Sequence, residues 1–223
     1  MNEAECFRPI GMFSVYFAGE LFSSKHLVGN AALADAIARA SNLNFICVLP
    51  QALEERNLGA HGIRDQDIVS LIGCDLAIFN FDGPELDSGT VVEFLFAKFA
   101  DIPSLILRTD FRRSGDQEGD PWNLMISFYP RTQTLWLNSM ELYKKALNQG
   151  MSPVQAGQSL LEQIALETIK QLELLSQSPP TISNELADPV FRWISKMPGF
   201  NSATSSEKVM AALNEKQAKR LLP

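Results

Sequence analysis

Short β-branched or aromatic runs alternate with longer stretches of helical period through the first 137 residues, and nothing else in the sequence restricts the fold as strongly. The strand candidates are Met12–Ala18, Leu43–Leu49, Asp75–Phe81, Pro103–Arg108 and Gln133–Leu137, each bounded by Gly, Pro, Asn or Asp. Between them, Ser24–Ala40 places Leu27, Ala31, Ala34 and Ile37 on one stripe, and Ile63–Ile72 places Ile68, Leu71 and Ile72 together. Gly89–Ala100 is apolar nearly all round. Strands rich in apolar residues and separated by helices form parallel sheets covered on both faces. The expectation is an α/β chain, flavodoxin-like or Rossmann-like, with a doubly wound five-stranded parallel sheet and a helical C-terminal extension.

The extension opens with strong helix signals. Asn138-Ser-Met-Glu141 reads as an N-cap with an acidic residue three positions on, and its helix should stop at Gly150. Ser152-Pro-Val-Gln155 pairs a cap with proline at the first helical position, and that helix runs through Leu160, Ile164, Ile169 and Leu172 to about Leu175. Ser176–Ser183 has the composition of a linker. Phe191, Trp193, Ile194 and Met197 fit a short amphipathic segment, and Asn201–Pro223 reads as polar, compatible with a helix, and weakly anchored. Residues 1–150 are therefore expected to form the α/β domain, 151–176 a helix packed on it or at a subunit interface, and 177–223 a linker and tail.

Several function classes are disfavoured. No run of about 18 uncharged apolar residues occurs, and MNEAECFRPIG lacks a basic stretch followed by an apolar one, so a cytoplasmic protein without membrane contact is expected. A net charge of −7, from 26 acidic against 19 basic residues, sets the chain against a nucleic acid polymer. Cys6, Cys47 and Cys74 are an odd, widely spaced set that suits reduced thiols. His26 and His61 have no Cys or His at ligand spacing, so no metal is expected, and no cofactor. Gly83 to Gly89 lacks both a following Lys and a GxGxxG spacing, which leaves out a P-loop or dinucleotide fingerprint, and Ser88 has no nearby histidine to activate it.

For a sheet of order 2-1-3-4-5 the ligand crevice lies between the first and third strands, at their carboxyl ends. The segments leaving those strands are Tyr16-Phe-Ala-Gly-Glu20 and Asp82 to Glu93, and the latter carries Asp82, Glu85, Asp87 and Glu93 with Gly83 and Gly89. Acids so dense at a crevice suit sugar or cation chemistry.

Each candidate has a plain alternative. Glu93 is expected in the first turn of its helix, where the dipole favours its ionised form by about 0.3–1 kcal/mol, as a carboxylate nucleophile requires; or Thr90-Val-Val-Glu93 is a capping box. Asp67 stands one turn before Leu71 at the margin of a buried stripe. It is either a solvated acid or a carboxyl that burial among other acids equips to give a proton to a leaving group. Tyr16 is either a core aromatic or a hydroxyl directed to a carboxylate across the switch point. Asn123 caps a turn or binds ligand.

Taken together the blocks resemble the nucleoside 2-deoxyribosyltransferases. They are Tyr16-Phe-Ala-Gly19 with Phe22, Ile63-Arg-Asp-Gln-Asp67, Cys74-Asp75 through Asn80-Phe-Asp-Gly-Pro84, Asp87-Ser-Gly-Thr-Val-Val-Glu93 and Pro121-Trp-Asn-Leu-Met125, in order over residues 12–140. The resemblance implies Glu93 as nucleophile on the anomeric carbon, Asp67 as the acid and base at the nucleobase, and Tyr16 as the residue holding the nucleophile. It further implies Asp87 on the sugar hydroxyls, Asn123 donated to them from a neighbouring subunit, and substrate contacts from Gly19, Phe22, Asp82, Gly89 and Thr90. Its partners would be a 2'-deoxynucleoside and a free nucleobase in nucleotide salvage, within a homo-oligomer, a dimer or multiple of dimers, that shares active sites. The carboxylate of Asp87 would repel a 5'-phosphate, which favours nucleosides over nucleotides.

The sequence departs from the family at Leu95, where Glu-x-Gly-x-Ala is usual, and in extending well past the matched blocks, with a tail that could cover, complete or block the site. Two other functions stay open: hydrolysis of the N-glycosidic bond of a nucleoside or nucleoside 5'-monophosphate, and a non-catalytic nucleotide-sensing module in which Glu93 only caps its helix.

Overall fold

The computed structural model describes residues 12–53, 58–112 and 123–223. Its frame is a parallel sheet of order β2-β1-β3-β4-β5, formed by β1 (Phe13–Ala18), β2 (Phe45–Val48), β3 (Leu76–Asn80), β4 (Ser104–Arg108) and β5 (Thr132–Trp136). The order reverses between β1 and β3, as the α/β reading requires. Val15 is in register with Cys47 on one side and Leu76 on the other. Successive side chains point to opposite faces, so Val15, Phe17, Leu76 and Ile78 enter one core while Tyr16, Ala18, Ala77 and Phe79 enter the second. Burial on both faces explains why these strands read as unbroken apolar runs.

On the first face lie α1 (Ser24–Ala40) and α6 (Pro153–Ser176), which contribute Leu33 and Ile37, and Ile164 and Leu172. Their ends follow from local chemistry. The Ser23 hydroxyl accepts from the His26 N–H, and Ser152 with Gln155 forms a reciprocal capping box ahead of Pro153. Asn138 caps α5 (Ser139–Asn148), which packs beside α6. The opposite face is covered by α3 (Gly59–Gly73) and α4 (Ser88–Phe99), preceded by the single turn α2 (Pro50–Leu53).

The expected linker carries no helix or strand from Gln177 to Ser183, but beyond it the chain is firmly packed rather than weakly anchored. It forms α7 (Asn184–Ile194) and α8 (Ala203–Ala218), and α8 packs against α3. Phe191, Ile194, Val209, Ala212 and Leu213 join the core of the α3 and α4 face. The apolar stripe of α8 is narrow, because Val209, Ala212 and Leu213 are followed at the next turn by Lys216. Lys216 is fully buried, and its Nζ donates to the Cys74 carbonyl. Burial lowers its pKa to about 8. One turn on, Lys219 Nζ donates to both oxygens of Asp75, at 2.9 and 2.8 Å. Among the described residues, no helix is long and apolar enough to cross a membrane.

Candidate active site

At the carboxyl end of β1, on the face turned to α4, Tyr16 lies fully buried, and its Oη donates to Glu93 Oε1 at 2.6 Å. The N-cap that orients α4 is Asp87, whose Oδ2 accepts from the Thr90 N–H and the Thr90 hydroxyl, both at 2.8 Å. The Thr90–Glu93 capping box therefore does not form, and Glu93 stands in the second turn of α4 rather than the first. The helix dipole falls off within the first turn, so the surroundings of this carboxyl govern its ionisation.

Those surroundings disfavour charge. Burial raises the Glu93 pKa from 4.5 to about 7, the Tyr16 hydrogen bond opposes the rise, and the charges of Asp67 and Asp87 add to it. Burial and the neighbouring Glu93 lift Tyr16 well above the ordinary phenol value, so it remains a hydrogen-bond donor at neutral pH. Glu93 is thus close to half ionised near pH 7, with a committed donor on one oxygen.

Glu93 lines a cavity of about 780 Å³ at the β1–β3 switch point, within the roughly 300–1,000 Å³ of ordinary small-molecule sites. Asp67, Asp87, Gly19, Phe22, Gly89 and Thr90 line it too, so most of the expected site residues converge. A face of α3 supplies Ala60, Ile63, Arg64, Asp67 and Ile68 at helical spacing. Phe22 is 78% exposed and forms an apolar rim. At Gly19 a Cβ would lie 3.2 Å from Asn80 Cβ and 3.3 Å from its carbonyl oxygen, so the exit of β1 lies flush against the end of β3. Leu95, the departure from the family pattern, packs against the core of the same face.

Two expected residues stand apart. Asp82 does not line this cavity, because its carboxylate accepts from the Thr109 N–H at 2.5 Å, the Thr109 hydroxyl at 2.7 Å and the Asp110 N–H at 2.9 Å. It ties the loop after β3 to the end of β4. Asn123 is also outside the lining, and its Oδ1 accepts from the Met125 N–H at 2.9 Å to start a 3-10 turn at Leu124–Ile126. Pro121 and Trp122 of the same block lie outside the described residues. Conversely, Pro198 lines the cavity from a segment that reads as tail. Among the described residues, no group of three or more His, Cys, Asp or Glu is arranged to hold a metal ion.

Residues 15–125 match the family model of the nucleoside 2-deoxyribosyltransferases. Among solved structures, a conserved protein from Enterococcus faecalis V583 is 22% identical with a TM-score of 0.43, covering 75% of this chain and 97% of its own. A 2-desoxiribosyltransferase from Leishmania mexicana is 21% identical with a TM-score of 0.43, covering 62% and 99% respectively. A search of curated proteins found no match.

Proposed function

With residues 15–125 belonging to the nucleoside 2-deoxyribosyltransferase family, we propose that this chain moves 2-deoxyribose between nucleobases through a glycosyl ester on Glu93. The observation that carries the reading is the Tyr16–Glu93 hydrogen bond at the wall of a cavity that also holds Asp67 and Asp87. Cleaving an N-glycosidic bond builds positive charge at C1', which a carboxylate on the opposite side of the sugar stabilises.

Tyr16 holds Oε1, which leaves Oε2 to attack C1'. The bond from C1' to the base nitrogen breaks, its electron pair goes to the base, and Asp67 supplies the proton that neutralises the departing heterocycle. An incoming base then attacks C1', Asp67 takes its proton, and the ester bond breaks to regenerate the Glu93 carboxylate. Two inversions retain configuration. Developing positive charge in the sugar favours the ionised form of Glu93, so a nucleophile near half ionisation in the empty site is driven to the reactive state as reaction proceeds. Asp87 spends Oδ2 on the α4 cap and offers Oδ1 to a sugar hydroxyl. Asn123 stands outside this cavity, which fits a residue contributed to a neighbouring subunit's site in a homo-oligomer.

Incubation with deoxyinosine and adenine tests the proposal. Formation of deoxyadenosine, with one deoxyribosyl unit of added mass on the Glu93 peptide, is expected. Hypoxanthine release without a new nucleoside would make the protein a hydrolase, and neither product would overturn the reading. Replacing Glu93 by Ala is expected to lower turnover at least a thousand-fold, roughly 4 kcal/mol of barrier.

A further inference from the structure

We propose that the loop between α7 and α8 is the base-side wall of the cavity, with Pro198 setting the size of the nucleobase it admits. This rests on the deoxyribosyl-transfer reading for the orientation of the ligand. The sugar end is fixed by Glu93 and Asp87 on α4, and Asp67 on α3 faces the glycosidic nitrogen. From Asp67 the cavity-lining stripe of α3 runs back through Arg64 and Ile63 to Ala60, about 10 Å along the axis at roughly 1.5 Å per residue. On that reading a base bonded to C1' extends along this stripe, whose far end shares the cavity with Pro198.

The loop is fastened to α3 by a set of contacts the proposed chemistry does not use. Asn201 N–H donates to Asp65 Oδ2 at 2.7 Å. Asp65 Oδ1 also accepts from Arg64 Nε at 3.1 Å and Nη2 at 2.5 Å. The Gly199 carbonyl faces His61 Nε2 at 3.0 Å and Arg64 Nη2 at 3.2 Å. Gly199 has φ +64, a backbone conformation that turns its carbonyl onto α3 and that a side chain would strain. Asp65 is 4% exposed, so its charge is committed to this latch. Proline, with its fixed φ and apolar ring, is then a rigid stop between the end of α7 and the latch. Flanking helices anchored by Phe191, Ile194 and Val209 keep it in place.

A purine reaches one ring further than a pyrimidine, so the position of this stop sorts bases by length. Calorimetric Kd values for deoxyadenosine and deoxycytidine, measured on the full chain, give the test. Pro198→Trp is expected to weaken deoxyadenosine about ten-fold or more relative to deoxycytidine, and Pro198→Ala to shift the ratio several-fold the other way. Should the Trp variant fail to fold, the Ala ratio decides alone. Ratios within two-fold of the unmodified chain would overturn the wall. If that chain binds both nucleosides but transfers nothing, the transfer reading falls while the ratios still judge the wall; binding of neither nucleoside overturns both.

Discussion

Replacing Glu93 by Gln should make the protein inactive and, at alkaline pH, more stable. Burial holds the folded-state pKa of Glu93 at about 7 against 4.5 for an ordinary glutamate. Below pH 4.5 the carboxyl is neutral in both states and contributes no penalty. As pH rises from 4.5 to about 7 the unfolded chain ionises freely while burial keeps the folded carboxyl protonated, so stability is lost across that window and levels off above it. At about 1.36 kcal/mol per pH unit between the two values, the full loss is roughly 3 kcal/mol. Glutamine keeps an oxygen to accept from Tyr16 and never ionises. Urea unfolding of both proteins at pH 4.5 and pH 8.5 measures the difference. The two should nearly coincide at the lower pH. At the higher pH the variant's midpoint should lie about 1 M above the parent's, for a slope near 3 kcal/mol/M. A stability difference that does not change with pH would refute the buried, charge-disfavouring environment on which the role proposed for Glu93 rests.

The remaining expectations concern other parts of the same geometry. Tyr16→Phe removes the hydrogen bond that pulls the Glu93 pKa down, so the acidic limb of kcat/KM should move to higher pH than in the parent, where it is expected to follow Glu93; a pH–rate profile reads this directly. Asp82→Ala strips the partner from two backbone N–H groups and the Thr109 hydroxyl. It should lower unfolding free energy by about 2 kcal/mol while leaving nucleoside Kd within about two-fold, as calorimetry on the same samples can check. Cys47 and Cys74 are pushed by burial to about 12, so roughly one thiol in ten thousand is ionised at pH 8. Peptide mapping after iodoacetamide should show both alkylated far more slowly in the folded chain than in urea.

The strands and, apart from the single turn α2, the helices through residue 176 are legible because their signals are local: short apolar runs bounded by Gly, Pro, Asn or Asp, and the caps and stops at Ser152-Pro153, Asn138 and Gly150. The start of α4 is not legible in the same way: the expected Thr90–Glu93 capping box gives way to an Asp87 cap, and the Glu93 carboxyl is held instead by a Tyr16 hydroxyl 77 residues away. Asp82 and Asp87 illustrate the same limit. Both are acids in one loop, yet Asp82 is consumed by the backbone after β4 and only Asp87 reaches the cavity. The role of Asp65 depends on an amide 136 positions away. The polar composition of α8 concealed a stripe that buries only Val209, Ala212, Leu213 and the stem of Lys216.

One span of chain therefore touches both rims of the sheet. Pro198 meets the mouth of the cavity beyond the strand ends, while Lys216 and Lys219 meet Cys74 and Asp75 just before β3 begins. Asp75 in turn accepts from the N–H and hydroxyl of Ser14 in β1. Cutting the protein down to its transferase-like segment would bare the oily side of α3 and α4 and orphan an anion beneath the sheet. Shortened versions made for convenience should aggregate before they could report on nucleosides at all.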